Sequence, residues 1–250
     1  MGTILAVTNG MRRIALIGIM FTAVLATIFA ARPAIAMGPM ATQDEVCDTA
    51  ADYFLGDENY PEAVKSHRLV IAAHPDDALA HYHLGFALGM LGRHAEELAE
   101  YRDAARLGLG HWDLFLNLGR VYLEQGDLGA ATGALETAVS LGPDHAEAHF
   151  NLGLVYERRG MIAHAQRQIL ASLRLDPGAP DARNMLGLVY AEEGDFAQAR
   201  KVWTELGRSE PDFGPARANL ALLDLAEHRT DESLSSRAAG FRTASSGGPR

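Results

Sequence analysis

The chain has 250 residues, 48% of them hydrophobic, and a formal net charge of −10. That hydrophobic share argues against a chain disordered over most of its length. The acidic balance argues against nucleic acid or anionic membrane surfaces as partners, because both are recognised through clustered Lys and Arg.

Residues 1–36 read as an export leader. Arg12 and Arg13 precede the uncharged run Ile14–Ala31, and Ala34-Ile35-Ala36 supplies a small-x-small cleavage site. Cleavage after Ala36 is expected. The competing expectation is an uncleaved anchor, since the run approaches the length that spans a bilayer. Either way the positive-inside rule places the rest of the chain outside the cytoplasm, in the periplasm. Cys47 lies well beyond the cleavage point, which argues against a lipoprotein. Residues 37–43 form a short tether.

From residue 44 the sequence repeats itself. Five windows follow one another without an insertion: 44–77, 78–111, 112–145, 146–179 and 180–213. Position 7 holds Ala50, Leu84, Leu118, Leu152 and Leu186, and position 8 holds Ala51, Gly85, Gly119, Gly153 and Gly187. Position 11 holds Phe54, Leu88, Tyr122, Tyr156 and Tyr190. Position 20 holds Ala63, Glu97, Ala131, Ala165 and Ala199, and position 32 holds Pro75, Leu109, Pro143, Pro177 and Pro211.

Each column has a mechanical reason. In the fourth window His149, Leu152, Gly153 and Tyr156 fall at i, i+3, i+4 and i+7, one face of a helix. Ala165, Ile169 and Ser172 make a second stripe, and Pro177 ends the run. Gly at position 8 and Ala at position 20 let the two helices approach closely. Gly92, Gly126, Gly160 and Gly194 permit a left-handed turn between them. Asp127 and Asp195 follow as N-caps. The departures are Glu58 where the turn glycine is expected, Glu97 at a small-residue position, Leu109 for a proline, and Leu206 for the second small residue of the last window. The stretch 107–112 is expected to be a looser joint.

This pattern resembles the tetratricopeptide repeat family over residues 44–213, with a capping helix over 214–227. The resemblance implies an all-α fold, a right-handed superhelix (α-solenoid) of five helix-turn-helix repeats, whose first helices line a concave groove that binds a partner. Carried over by repeat position, the groove holds Tyr82, Phe86, Leu116, Asn117, Arg120, Phe150, Asn151, Leu154, Arg158, Asn184 and Leu188. It is expected to be apolar in the middle, with Asn117 and Asn151 placed to hold a peptide backbone. Leu116 and Leu154 read equally well as packing residues, whereas Tyr82, Phe86 and Phe150 read as groove residues. Members that grip a C-terminal carboxylate use Lys and Arg here; this chain offers Arg120 and Arg158, so that mode is not expected.

Nothing in the chain reads as catalytic. There is no nucleophile elbow, phosphate loop or paired-carboxylate constellation, so an enzyme is not expected. Cys47 is the lone cysteine; it is expected to be buried on the first helix, without a catalytic partner. Zinc needs three or four convergent ligands. His81 and His149 share a repeat position and read as packing residues, while His145 lies in a turn. No metal or cofactor is expected. Residues 228–250, rich in Ser, Gly and Arg, are expected to be disordered.

The expected function is a non-enzymatic periplasmic scaffold that binds a protein or peptide partner in its groove. Its setting would be the assembly or coordination of an envelope machine such as a pilus, a secretion system or wall synthesis. The alternative is a regulatory or substrate-presenting subunit of an envelope enzyme complex, for example in cytochrome maturation. Contact with the membrane is expected only through an uncleaved leader, and self-association only through the open ends of the array.

Overall fold

A computed structural model describes residues 47–226; the expected leader, tether and tail lie outside the described residues. All regular structure among the described residues is helical. The helices are α1 (Thr49–Gly56), α2 (Tyr60–Ala73), α3 (Ala78–Met90), α4 (His94–Arg106), α5 (Trp112–Glu124), α6 (Leu128–Leu141), α7 (Ala146–Arg158), α8 (Ile162–Leu175), α9 (Pro180–Glu193) and α10 (Phe196–Ser209). A further helix, α11, covers residues 214–226.

The helix boundaries have local causes. Asp127 and Asp195 cap α6 and α10 as expected, accepting from the backbone N–H of Ala130 at 2.9 Å and of Gln198 at 3.1 Å. Asp77 caps α3 in the same way through Leu79 and Ala80. The first helix departs from the repeat frame. Asp48 accepts from the N–H groups of Ala50 and Ala51, so α1 starts at Thr49 and spans only 8 residues. Cys47 therefore precedes the first helix rather than sitting on it, and it is half-buried rather than buried.

The turn inside each hairpin needs one residue in the left-handed region. Gly126 takes φ 78° and Gly160 takes φ 70° there. In the first repeat Glu58 fills the same place at φ 54°, so the missing glycine leaves the turn unchanged in kind. The joint expected at 107–112 is a connection between Arg106 and Trp112 with Gly108 at φ 93°.

The described helices fall into two compact units, residues 47–177 and 178–226. In the first, α1 pairs with α2, α3 with α4, α5 with α6 and α7 with α8. Each hairpin also packs on the next, through α2 with α3, α4 with α5 and α6 with α7. First helices touch as well, α1 with α3 and α5 with α7. In the second unit α9 pairs with α10. The amide of Asn219 on α11 donates to Asn184 Oδ1 on α9 at 2.9 Å, and Arg200 on α10 pairs with Asp224 on α11 at 2.6 Å.

The small residues at position 8 have a defined partner. A Cβ on Gly85 would lie 2.6 Å from Cδ1 of Tyr101, and one on Gly153 would lie 2.6 Å from Cδ1 of Ile169. Gly119 meets Leu135 and Gly187 meets Trp203 in the same way. All four partners are fully buried. Each hairpin is thus closed by one large side chain from its second helix lying over a glycine of its first. The same two positions of the first repeat hold Ala51 and His67.

Glu97 is accommodated by a local exchange of space. Its carboxylate lies against Gly89, where a Cβ would collide with it, and its Oε2 is 2.8 Å from Nδ1 of His94. Burial raises the Glu97 carboxyl above its ordinary 4.5, although the His94 ring opposes the shift. The folded chain therefore holds that proton more tightly than the unfolded chain does. Below the ordinary carboxyl range both states are protonated and Glu97 costs nothing; as pH rises through and above it, stability is lost. Glu97→Gln is expected to be more stable than the native chain near pH 7, with the difference shrinking toward about pH 4. Urea unfolding at the two pH values checks this.

Candidate partner-binding surface

The residues expected to line a groove divide between the two units. Tyr82 and Phe86 lie on α3, Leu116, Asn117 and Arg120 on α5, and Phe150, Asn151, Leu154 and Arg158 on α7. Asn184 and Leu188 lie on α9, in the other unit.

On the first unit the best-defined contact joins α3 to α5. The Tyr82 hydroxyl donates to Asp113 Oδ2 at 2.8 Å, and the Asn117 amide reaches the Tyr82 oxygen at 3.5 Å. Burial, and then the Asp113 charge, push the Tyr82 phenol well above its ordinary range, which keeps it a neutral donor. Phe86 packs edge-on against Tyr60 of α2, with ring centroids 6.4 Å apart. Phe150, Arg120 and Arg158 are also half-buried. Leu116 and Leu154 are only 4% and 6% exposed, so they stand as packing residues; Leu188 is likewise buried. Asn151 is buried and spends its amide on the Glu147 carbonyl of its own helix at 2.9 Å.

The polar inventory of this face is largely committed inside the fold. Asn117 bonds to Tyr82 and Asn151 to its own helix, while Asn184 accepts from Asn219. Arg120 is balanced by acids: burial raises the Glu147 carboxyl, and Arg120 pulls it back down. This arrangement does not present the uncompensated positive charge that gripping a carboxylate needs.

The histidines do more than fill space. His81 places Nδ1 2.7 Å from Glu100 Oε2 and Nε2 3.3 Å from the carbonyl of Pro75. His149 repeats the arrangement with Gln168 Oε1 at 2.7 Å and the carbonyl of Pro143 at 3.0 Å. Each ring spans its own hairpin and reaches back to the residue that closes the preceding repeat. His145 stacks on Trp112, with centroids 3.6 Å apart and planes at 11°.

Cys47 is where the sequence was least informative. It has partners after all: its Sγ donates to Asp52 Oδ1 at 3.3 Å and lies 3.6 Å from His67 Nδ1 and 3.5 Å from His83 Nδ1. Burial and the Asp52 charge push the thiol well above its ordinary range, the reverse of what an activated nucleophile requires. The signal in the sequence was His67. It is the one histidine in a column otherwise held by Tyr101, Leu135, Ile169 and Trp203.

No described helix is long and apolar enough to cross a membrane. The chain is similar to YrrB, a tetratricopeptide repeat protein described as having an unusual peptide-binding site. The two are 25% identical over 67% of this chain and 87% of that one, with a TM-score of 0.63. It is also similar in fold to MamA from Desulfovibrio magneticus RS-1, at 22% identity over 68% of this chain and 98% of that one, with a TM-score of 0.60. A tetratricopeptide repeat protein from Parabacteroides merdae matches at 17% identity over 77% of each chain, with a TM-score of 0.64. No curated protein matches. Residues 49–108, 116–180 and 160–213 match the tetratricopeptide repeat family itself. With most of its length matched and the helix-turn-helix units in place, the chain belongs to the tetratricopeptide repeat family.

Proposed function

We propose that this protein is a non-catalytic adaptor that holds a segment of a partner protein against the first helices α3, α5 and α7. The observation that carries the reading is the set of half-buried aromatic residues on that face, Tyr82 and Phe86 on α3 and Phe150 on α7. Aromatic side chains that combine apolar area with few rotatable bonds are the usual anchors of protein interfaces. The likeness to YrrB, with its peptide-binding site, supports a peptide or an extended segment as the bound species. The committed asparagines and the balanced Arg120 favour recognition by apolar contact over capture of a charged terminus.

The setting we infer is the periplasm. Its support is the leader-like composition of residues 1–36, with Arg12 and Arg13 ahead of an uncharged run. Within the envelope, the role is to assemble or coordinate a multi-protein machine such as a pilus, a secretion system or wall synthesis.

The test is a pull-down from envelope extract with the native chain and with Phe86→Ala plus Phe150→Ala. If both residues are anchors, each truncation weakens the complex by roughly thirtyfold, about 2 kcal/mol. The partner is expected to disappear from the double variant while its circular dichroism remains helical. An unchanged set of captured proteins would remove this face from consideration.

A further inference from the structure

We propose that Cys47, Asp52, His67 and His83 form a binding site for a divalent transition metal ion, with zinc the best match. This site borders the partner-binding face, since the rings of His83 and Tyr82 on α3 lie 5.7 Å apart, but it does not rest on that reading. The four residues come from the residue ahead of α1, from α1 itself, from α2 and from α3, and one ligand atom from each lies within 4.8 Å of all the others.

The spacing fits tetrahedral zinc. With Zn–S near 2.3 Å and Zn–N or Zn–O near 2.0–2.2 Å, the edges of the tetrahedron run about 3.3–3.6 Å. Cys47 Sγ is 3.5 Å from His83 Nδ1 and 3.3 Å from Asp52 Oδ1. His67 Nε2 is 3.7 Å from the same Asp52 oxygen. The edge from His83 Nδ1 to that oxygen, a hydrogen bond of 2.8 Å, is the one that must open. One sulfur, two imidazoles and a carboxylate make a borderline-soft donor set, suited to zinc and its neighbours rather than to magnesium or calcium.

A second observation points to the ion. His67 has no exposed side-chain surface, and its Nε2 is the one buried side-chain polar atom among the described residues without a hydrogen-bond partner. Native folds rarely leave such an atom unpaired. The cause is visible in the cluster: one oxygen of Asp52 receives both the Cys47 thiol and the His83 ring, and at 3.7 Å it is too far to serve His67. A metal ion would satisfy all four groups at once. Packing alone does not call for a histidine here, since the other four repeats fill this position with Tyr101, Leu135, Ile169 and Trp203.

Protonation is compatible with this assignment. Burial, with a smaller contribution from His83, lowers His67 to about 4, so its ring is neutral and its lone pair free near neutral pH. Entry of the ion converts the Cys47 thiol to a thiolate and releases its proton to solvent. A second cluster, His81 with Glu100 and Asp103, is as tight but differs in the decisive respect: both nitrogens of His81 are already bonded, to Glu100 and to the Pro75 carbonyl.

The consequence is a staple. The first repeat has the shortest helix among the described residues, 8 residues long, and so the least packing of its own to hold it in place. An ion bound here would tie α1 and α2 to α3.

The test uses the full chain, stripped with chelator and titrated with zinc and, separately, with cobalt. Equimolar zinc uptake is expected, with a rise in the thermal midpoint and, for cobalt, a thiolate-to-metal charge-transfer band. Cys47→Ser should abolish that band and weaken zinc by more than about a hundredfold. His67→Leu restores the apolar residue of the other repeats and should stay folded while losing the ion. His81→Gln should leave zinc uptake and affinity unchanged. No uptake by the native chain, or equimolar uptake at unchanged affinity by Cys47→Ser or by His67→Leu, overturns the proposal.

Discussion

Trp203→Ala is expected to cost about 3–5 kcal/mol, the range for deleting a fully buried large aromatic side chain. Trp203 is 0% exposed, and its ring covers Gly187 on the facing helix. Its indole N–H also donates to the carbonyl of Asn184 at 3.3 Å. Truncation opens a cavity where α9 and α10 meet and leaves neither helix another large residue to close it. Single domains are stable by only about 5–15 kcal/mol, so a loss of this size threatens the whole hairpin. Trp203→Leu, which reproduces the residue at the same place in the third repeat, should cost less than the alanine. Denaturant midpoints of the two variants, measured beside the native chain, check the order.

Gly85→Ala is the second, and its sign is the informative part. Helix propensity alone favours the alanine by about 1 kcal/mol. The packing decides otherwise. A Cβ at this position would lie 2.6 Å from Cδ1 and 2.7 Å from Cε1 of Tyr101, and 3.3 Å from the backbone carbonyl oxygen of Glu97. Tyr101 is 1% exposed, so its ring has nowhere to go without disturbing its neighbours. Overpacking of this kind costs about 1–3 kcal/mol, enough to cancel or exceed the propensity gain. Gly133 is the control. It lies on α6 and is exposed, with nothing within 4 Å of where its Cβ would stand, so Gly133→Ala should stabilise by about 1 kcal/mol. Thermal midpoints moving in opposite directions for the two substitutions are the expected result.

Much of this geometry can be read before any coordinates are seen, because it is periodic. The repeated glycine at position 8 announces a close approach, and Asp127 and Asp195 announce helix starts. What periodicity hides is the exception to it. Glu58 adopts the left-handed turn of a glycine, which its identity does not suggest. Asp48 begins α1 late and leaves Cys47 outside it, free to meet His67 and His83 from two other helices. Those contacts join residues 20 and 36 positions apart and come from chain packing rather than a local motif. The face of the first helices was legible as a set of positions but not as a set of available groups. The burial of Leu116 and Leu154, and the internal bonds of Asn117 and Asn151, depend on neighbours that spacing alone does not locate.

The chain is a series of helical hairpins, four of them closed by a large residue over a glycine, and each is expected to depend on its neighbour. Amide hydrogen exchange on the intact chain, resolved to single residues, tests this most directly. The two helices of each pair should be protected together, α1 with α2, α3 with α4, α5 with α6, α7 with α8 and α9 with α10. Protection absent from one helix of a pair while its partner stays protected would contradict it.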